Sequence, residues 1–361
     1  IVREGPAATL LFAGELQPDA LPFGVALIPA GSEVPAELVA DAAVVLACGD
    51  NHLDLPLARS CSRLGVPVVY VIENTLPTRW RIAMLEPWPL RQRLKSLLWH
   101  AFTEIERRSA FRRASGLAAN GVDASRSYAA SSGDLITFFD SRTTREMMAT
   151  QRELDAKLDR LRRGEPLRLG FSGRLEALKG TDHLPAVARC LAAAGIPFSL
   201  DIFGSGSLEA PMRRDIAEAG LQGRVTMHGA VDFATVLVPF FRGNVDLFVC
   251  CHRQSDPSCT YLEAMACGAA IAGYGNRALV GLLEHARAGV ASPMDQPASL
   301  AQAIARLGSD RESLAEMMRN ALALACEHDV ASTFSRRVEQ CLRLARTPAA
   351  AQALAACSRP A

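Results

Sequence analysis

The chain has 361 residues, of which 49% are apolar; this suits two domains with sizeable cores and is too apolar for a disordered chain. Its formal net charge is +1, which gives no global attraction for a polyanion and argues against nucleic acid as a partner. The ten cysteines include no C-x-x-C pair and the seven histidines no H-E-x-x-H or Cys/His cluster, so buried thiols in a reducing, cytoplasmic compartment are expected and no metal site is.

Short apolar runs ending in Gly, Asn or Asp open the chain: ATLLFAG (8–14), GVALIPAG (24–31), AAVVLACG (42–49) and VPVVYVIEN (66–74). Their length and β-branched content predict fully buried parallel strands. Between the last two, LDLPLARSCSRLG has helical spacing and a stop at Gly65. A long amphipathic helix is predicted over 90–114, then strands in SGLAANG and DLITFFDS. The charged stretch 143–166 reads as a helix ending in Gly-Glu-Pro, which separates an N-terminal domain, 1–165, from a second at 166–330.

The second set repeats the rhythm. Strands are predicted at 167–173, 224–231, 246–252 and 269–274 and a strand with its loop at 198–206, with helices at 183–195, after Gly206, at YLEAMACG and twice after 298. Repeated βα units in two halves imply two doubly wound α/β domains facing across a cleft, with function at strand-to-helix loops. No apolar run is long enough to span a bilayer.

Three loops carry chemistry. GRLEALKG (173–180) holds Arg174 and Lys179 between Gly173 and Gly180, and two cations on one strand-end loop suit a diphosphate as readily as they suit plain surface charge. Lysine occurs only at 95, 157 and 179 among 39 basic residues, so each position invites a reason. IFGSGS (202–207) offers Gly204, Ser205, Gly206 and Ser207 for close backbone approach to a ligand, or forms a turn and helix cap. QSDPSCTYLEAMACGAA (254–270) reads locally as a helix entry, with Asp256 as cap, Pro257 in the first turn and a Thr260/Glu263 capping box. The same helix start could face a phosphate while Glu263 grips a sugar hydroxyl pair.

The ordered set GRLEALKG, IFGSGS, RVTMHGAV, DLFVCCH and CTYLEAMACGAAIAG resembles the nucleotide-sugar domain of retaining, family-4-like glycosyltransferases of the GT-B fold (glycosyl transferases group 1). The resemblance implies a GT-B α/β architecture with an acceptor-side domain at 1–165, a nucleotide-sugar domain at 166–330, and a last segment, 331–361, crossing back to the first domain. It implies that Arg174 and Lys179 neutralise the donor diphosphate and that Glu263 binds the nucleotide ribose. Gly204–Ser207 and the Met227-His228-Gly229 backbone would lie by the nucleotide, and the amides of Thr260, Tyr261 and Leu262 by the diphosphate or sugar.

The sequence departs from that family in three places. Ser255 stands where a first glutamate is expected, with Asp256 adjacent; Glu73 and Asn74 stand where relatives often place a histidine; and FAGELQPDALPFG is a poor match for the glycine-rich loop after the first strand. The implied reaction is metal-independent retaining transfer from a UDP- or GDP-linked sugar to a glycan, lipid-linked or small-molecule acceptor, with the leaving diphosphate taking the acceptor proton and no cofactor beyond that substrate. A 2-epimerase of the same fold and a non-catalytic nucleotide-sugar binder are the rival readings. Residues 79–113 interleave Arg and Lys with Trp80, Trp88, Trp99 and Phe102; they suit peripheral contact with the inner face of an anionic membrane, or a solvated helix with its Trp and Leu buried.

Overall fold

A computed structural model describes residues 1–3, 23–255 and 257–345; the strand expected at 8–14 and the cap expected at Asp256 lie outside them. Strands β1 (Val2–Arg3) and β2 (Leu27–Ile28) pair in parallel as a separate ribbon. The run 24–31 thus gives two strand residues, not a full strand. Pro29 brings no N–H to a ladder, and its carbonyl is taken by the Ser32 N–H and hydroxyl in a tight turn.

Strands β3 (Val45–Cys48), β4 (Val68–Ile72), β5 (Gly116–Asn120) and β6 (Leu135–Phe138) form a parallel sheet in that order. Among the described residues β3 is its edge, and Leu46 and Cys48 are exposed where a buried strand was expected. Cys326 is also exposed, a second exception to the expectation of buried thiols. Helices α1 (Leu57–Leu64), α2 (Leu76–Leu85), α3 (Leu90–Arg113) and α4 (Gly121–Tyr128) connect these strands. α1 stops at Gly65 as expected; α2, with its proline in the first turn, went unread in the sequence.

Helix α5 (Gln151–Arg162) links the halves. It starts later than the charged stretch suggested because Thr150 and Glu153 close a reciprocal capping box there. The second sheet is wholly parallel, ordered β12 (Gly289–Ser292), β11 (Ala270–Tyr274), β10 (Leu247–Cys250), β7 (Leu167–Ser172), β8 (Phe198–Phe203), β9 (Val225–Gly229). The chain runs outward from β7 to β9, returns to the other side of β7, and runs outward again from β10 to β12. The switch point of this Rossmann order falls between β7 and β10, where the carboxyl ends open a crevice. Helices α6 (Leu184–Ala193), α7 (Glu209–Glu218), α8 (Val238–Asn244), α9 (Cys259–Ala266), α10 (Arg277–Ala286), α11 (Pro297–Ser309) and α12 (Arg311–Glu327) complete this half. Its core runs continuously through Leu169, Phe171, Leu200, Ile202, Phe248 and Ile271.

Helix α13 (Val330–Leu344) lies against β5 and β6 of the first sheet. The Gln340 amide donates to the Leu117 carbonyl at 3.1 Å, and Arg343 forks onto Asp134 at 2.8 and 2.7 Å. Just before α13, His328 packs edge-on against Phe139 and accepts from Arg336. Burial, with Arg336 and His285 nearby, holds its pKa down to about 4. An unfolded histidine titrates near ~6.5, so in this window the unfolded chain binds more protons, and stability is lost as pH falls from there toward 4. His328→Phe keeps the ring packing without the titration. It should flatten the decline of the urea midpoint in that window, followed by circular dichroism; a slope equal to wild type would refute this linkage.

Candidate active site

The crevice between β7 and β10 continues between the two halves as an open cleft with about 1230 Å³ of space. Its walls include Glu73, Asn74, Arg142, Arg174, Lys179 and Ser258. Each comes from a strand-end loop or the helix that follows, as expected for a doubly wound fold.

The loop after β7 is held by backbone contacts. The Gly173 N–H donates to Phe203 at 3.0 Å, and Gly204 N–H to the Gly229 carbonyl at 2.7 Å, so three strand ends are laced together. Gly204 has φ +127°, and a Cβ there would meet the Gly173 carbonyl oxygen at 1.9 Å. Gly180 has φ +60°, and a Cβ there would meet the Cys251 carbonyl oxygen at 2.0 Å. Both glycines are therefore required by close approach of neighbouring loops, one on each side of Arg174 and Lys179. Arg174 is exposed to the cleft, and Lys179 Nζ lies 3.5 Å from Ser258 Oγ across the switch point. His252 beneath them is fully buried, and that burial, with the Lys179 charge, holds its imidazole neutral, well below its usual pKa.

Ser207 turns toward Glu176: its N–H and hydroxyl donate to that carboxylate at 3.1 and 2.7 Å. His228 stacks on Phe203 and bonds Asp201 at 2.8 Å. Thus Ser207 and His228 have protein partners for their side chains, and Gly204, Ser205, Gly206, Met227 and Gly229 remain as a chiefly main-chain ledge beside the β7 loop.

The capping box expected at Thr260 and Glu263 does not form. Ser258 occupies the N-cap position, α9 begins at Cys259, and Pro257 precedes the helix instead of entering its first turn. Thr260 Oγ1 bonds Ser258 Oγ at 2.8 Å, and the Tyr261 N–H already donates to the Ser258 carbonyl, so this amide is engaged by the turn. The Tyr261 ring is buried, its hydroxyl 3.0 Å from His252, and Leu262 is buried beside it. Ser255 hydroxyl accepts from Arg277 N–H, while its carbonyl accepts from Thr78 of the opposite half at 3.3 Å.

Glu263 is 5% exposed, and Oε1 accepts from Arg142 Nε at 2.7 Å. Oε2 is buried with no hydrogen bond among the described residues. A half-satisfied buried carboxylate is costly unless something completes it. The neighbouring Cys259 thiol is pushed up to about 11, first by burial and then by the Glu263 charge. Arg142 lies over the Phe233 ring at 4.2 Å and reaches Glu263 from the loop after β6. The sequence reading missed Arg142, although its position just beyond a predicted strand end was a signal.

The opposite wall rests on buried charge. Asp50 accepts the N–H groups of Glu73 and Asn74 at 2.7 and 3.1 Å and pairs with Arg79. Arg79 and Arg107 both face Glu104, and Arg107 donates to the Gly49 carbonyl at 2.9 Å. This network fixes the loop after β4, and Asn74 Oδ1 is left buried without a partner among the described residues. Asn120 and Asp140 join this wall, also unread in the sequence. Arg81 spans the halves to the Arg253 carbonyl at 3.1 Å and to Asp295 at 3.0 Å, while Arg277 reaches Asp123 at 2.8 Å.

Residues 155–323 match the family described as Glycosyl transferases group 1. The matched segment is just under half of the chain. It contains Arg174, Lys179 and Glu263 and both sides of the switch point. A 2-deoxystreptamine glucosyltransferase of Streptomyces kanamyceticus is 29% identical over 142 residues, 39% of this chain; the match spans 36% of that protein. Anabaena Alr3699/HepE, solved with UDP, has a TM-score of 0.59 at 17% identity, covering 88% of this chain and 85% of that one. The same protein solved with UDP-glucose gives 0.56 at 17% identity, with coverage of 98% and 90%. A glycosyltransferase from Rickettsia africae gives 0.52 at 11% identity, over 83% and 98% of the chains. With its two parallel-sheet domains, the chain has the GT-B fold, and the matched segment covers most of its second domain.

Proposed function

We propose that this chain is a glycosyltransferase that moves a sugar from a nucleoside diphosphate to an acceptor with retention at the anomeric carbon. The observation that carries this reading is the convergence of Arg174 and Lys179 on the cleft at the β7/β10 switch point, inside the group 1 segment. Two fixed cations suit a diphosphate leaving group, and positive charge supplied by side chains performs the neutralisation without a metal. The leaving phosphate takes the acceptor proton, so the protein's work is orientation and charge stabilisation. Glu73 and Asn74, anchored through Asp50, face the sugar from the acceptor side. Gly204 to Ser207 and Met227 to Gly229 form the nucleotide ledge.

Glu263 takes the ribose hydroxyls on its unoccupied Oε2, with Arg142 holding the carboxylate in place. Glu263→Gln keeps the side chain's size and removes its charge. Loss of a hydrogen bond to a charged group should weaken UDP binding by roughly 10- to 100-fold, measured by calorimetry. An unchanged Kd would remove Glu263 from the nucleotide site.

The reading is tested with a donor panel of UDP-, GDP-, ADP- and dTDP-sugars, UDP-glucose first because the HepE structure contains it. A donor that binds the native state should stabilise it by about 2.7 kcal/mol at roughly a hundredfold excess over Kd. Released nucleotide and the product's anomeric signal in NMR then report turnover and retention. Binding without turnover across acceptors would instead establish a non-catalytic binder, and inversion would overturn the stereochemistry.

A further inference from the structure

Helix α3 is built inside out. Its buried side carries Thr103, Glu104 and Arg107 beside Ala110 and Phe111. Glu104 is 5% exposed and Arg107 1% exposed, because both belong to the charge network under the cleft wall. The water-facing side carries Leu90, Leu94, Leu98, Phe102 and Ile105, each more than half exposed. Their spacing places them on one stripe along the helix. Trp99 on α3 and Trp80 and Met84 on α2 widen the stripe, and the Trp80 indole N–H donates to the Leu97 carbonyl at 3.1 Å, locking the two helices together. A continuous apolar surface of this kind marks a docking site.

The charges around the stripe say what docks. Arg91, Lys95, Arg112 and Arg113 are exposed on α3, against Glu106 as its exposed carboxylate, while Arg108 is ion-paired with buried Glu104 at 2.9 Å. A second copy seated on the same face would set these cations against their own images. A phospholipid surface offers the complement, acyl chains for the leucines and phosphates for the cations. The stripe is a convex helix face with tryptophans beside it, the shape and composition of an interfacial helix rather than a peptide groove. We propose that α3, with the outer side of α2, docks this protein in the plane of an anionic membrane surface. Ile82 on the same α2 lines the cleft, so the docked face and the cleft share one helix as a wall. No helix among the described residues is long and apolar enough to cross a membrane, which leaves surface attachment as the mode for this helix. The inference stands whether or not the cleft transfers sugar.

The test is co-sedimentation of the full chain with phosphatidylglycerol or phosphatidylcholine vesicles at low and high salt. The wild type should pellet with phosphatidylglycerol vesicles, less so as salt rises, and weakly with phosphatidylcholine. The double variant Leu98→Glu/Phe102→Glu should lose about tenfold or more of vesicle binding. Its melting curve and its thermal shift with UDP should match wild type, since both side chains are exposed and remote from the cleft residues. Failure of the wild type to pellet at low salt, or equal pelleting of the variant, would overturn the proposal. So would a lipid-free dimer that the double variant dissociates, since the face would then belong to a second copy.

Discussion

Lys179→Ala is expected to lower sugar-transfer turnover by about 10²–10³, the usual cost of deleting one preorganised charge contact to a developing anion. The thermal midpoint should stay at the wild-type value. The reason lies in how the lysine is held. Gly180 fits against the Cys251 carbonyl and Gly173 against the Phe203 strand end, so the loop's shape is set by its backbone and survives loss of the ammonium group. Arg174 beside it cannot take over, because a guanidinium on a rigid loop cannot move to the lysine's place at the β10 side of the cleft. Lys179→Arg is the informative partner: it keeps the charge and should recover only part of the rate if position matters as well as charge. Turnover of Lys179→Ala at the wild-type rate, with the same acceptor, would show that the diphosphate lies elsewhere.

Lys157 should produce the largest effect on stability. This lysine is wholly buried in α5, and its ammonium donates to the carbonyls of Val245, Cys267 and Gly268, the last two at 2.7 and 3.4 Å. It thereby ties the linking helix to the start of β10 and satisfies backbone acceptors at the end of α9. It also stands near buried Asp246, which pairs with Arg160 at 3.3 Å. Burial pushes the Lys157 pKa down to about 8, so the charge is retained at neutral pH against a desolvation cost. Lys157→Met fills the same volume and still leaves three carbonyls without their donor and Asp246 with one neighbouring cation fewer. A loss of about 3–5 kcal/mol is expected from breaking a buried charged contact. The urea transition followed by circular dichroism measures it; all three tryptophans lie in the N-terminal half and report on the other domain. A Lys157→Met midpoint close to wild type would mean that packing alone holds this junction.

The three lysines show what spacing in the sequence conveys. Their rarity flagged each position, and the structure gives each a different environment: Lys95 on the exposed face of α3, Lys157 in the core, Lys179 at the cleft. Composition cannot separate these, because a charge's worth depends on what surrounds it. Helix α3 makes the same point in reverse. Its length and mixed character were legible, but which face is buried was not, because that depended on Arg79 of α2 engaging Glu104 and on the Gly49 and Asp50 carbonyls after β3 accepting from Arg107. At α9 the T-x-x-E pattern was locally sound, and tertiary contact overrode it: Arg142 draws Glu263 away from the cap, and Ser258 takes the helix start.

The sequence by itself determined the alternation of strands and helices, the two-domain α/β class, and the loops on which Arg174, Lys179 and the Gly204–Ser207 turn lie. These are local properties, written in hydrophobic period and in glycines at strand ends. Only the tertiary structure decided the strand order, and with it the switch point between β7 and β10. It alone brought Arg142 to Glu263 across some 120 positions of chain and set Asp50 under Glu73 and Asn74. It alone turned the leucines of α3 to solvent. Each of these depends on pairing between segments far apart in sequence, where burial and charge compensation are decided by neighbours that no local pattern encodes.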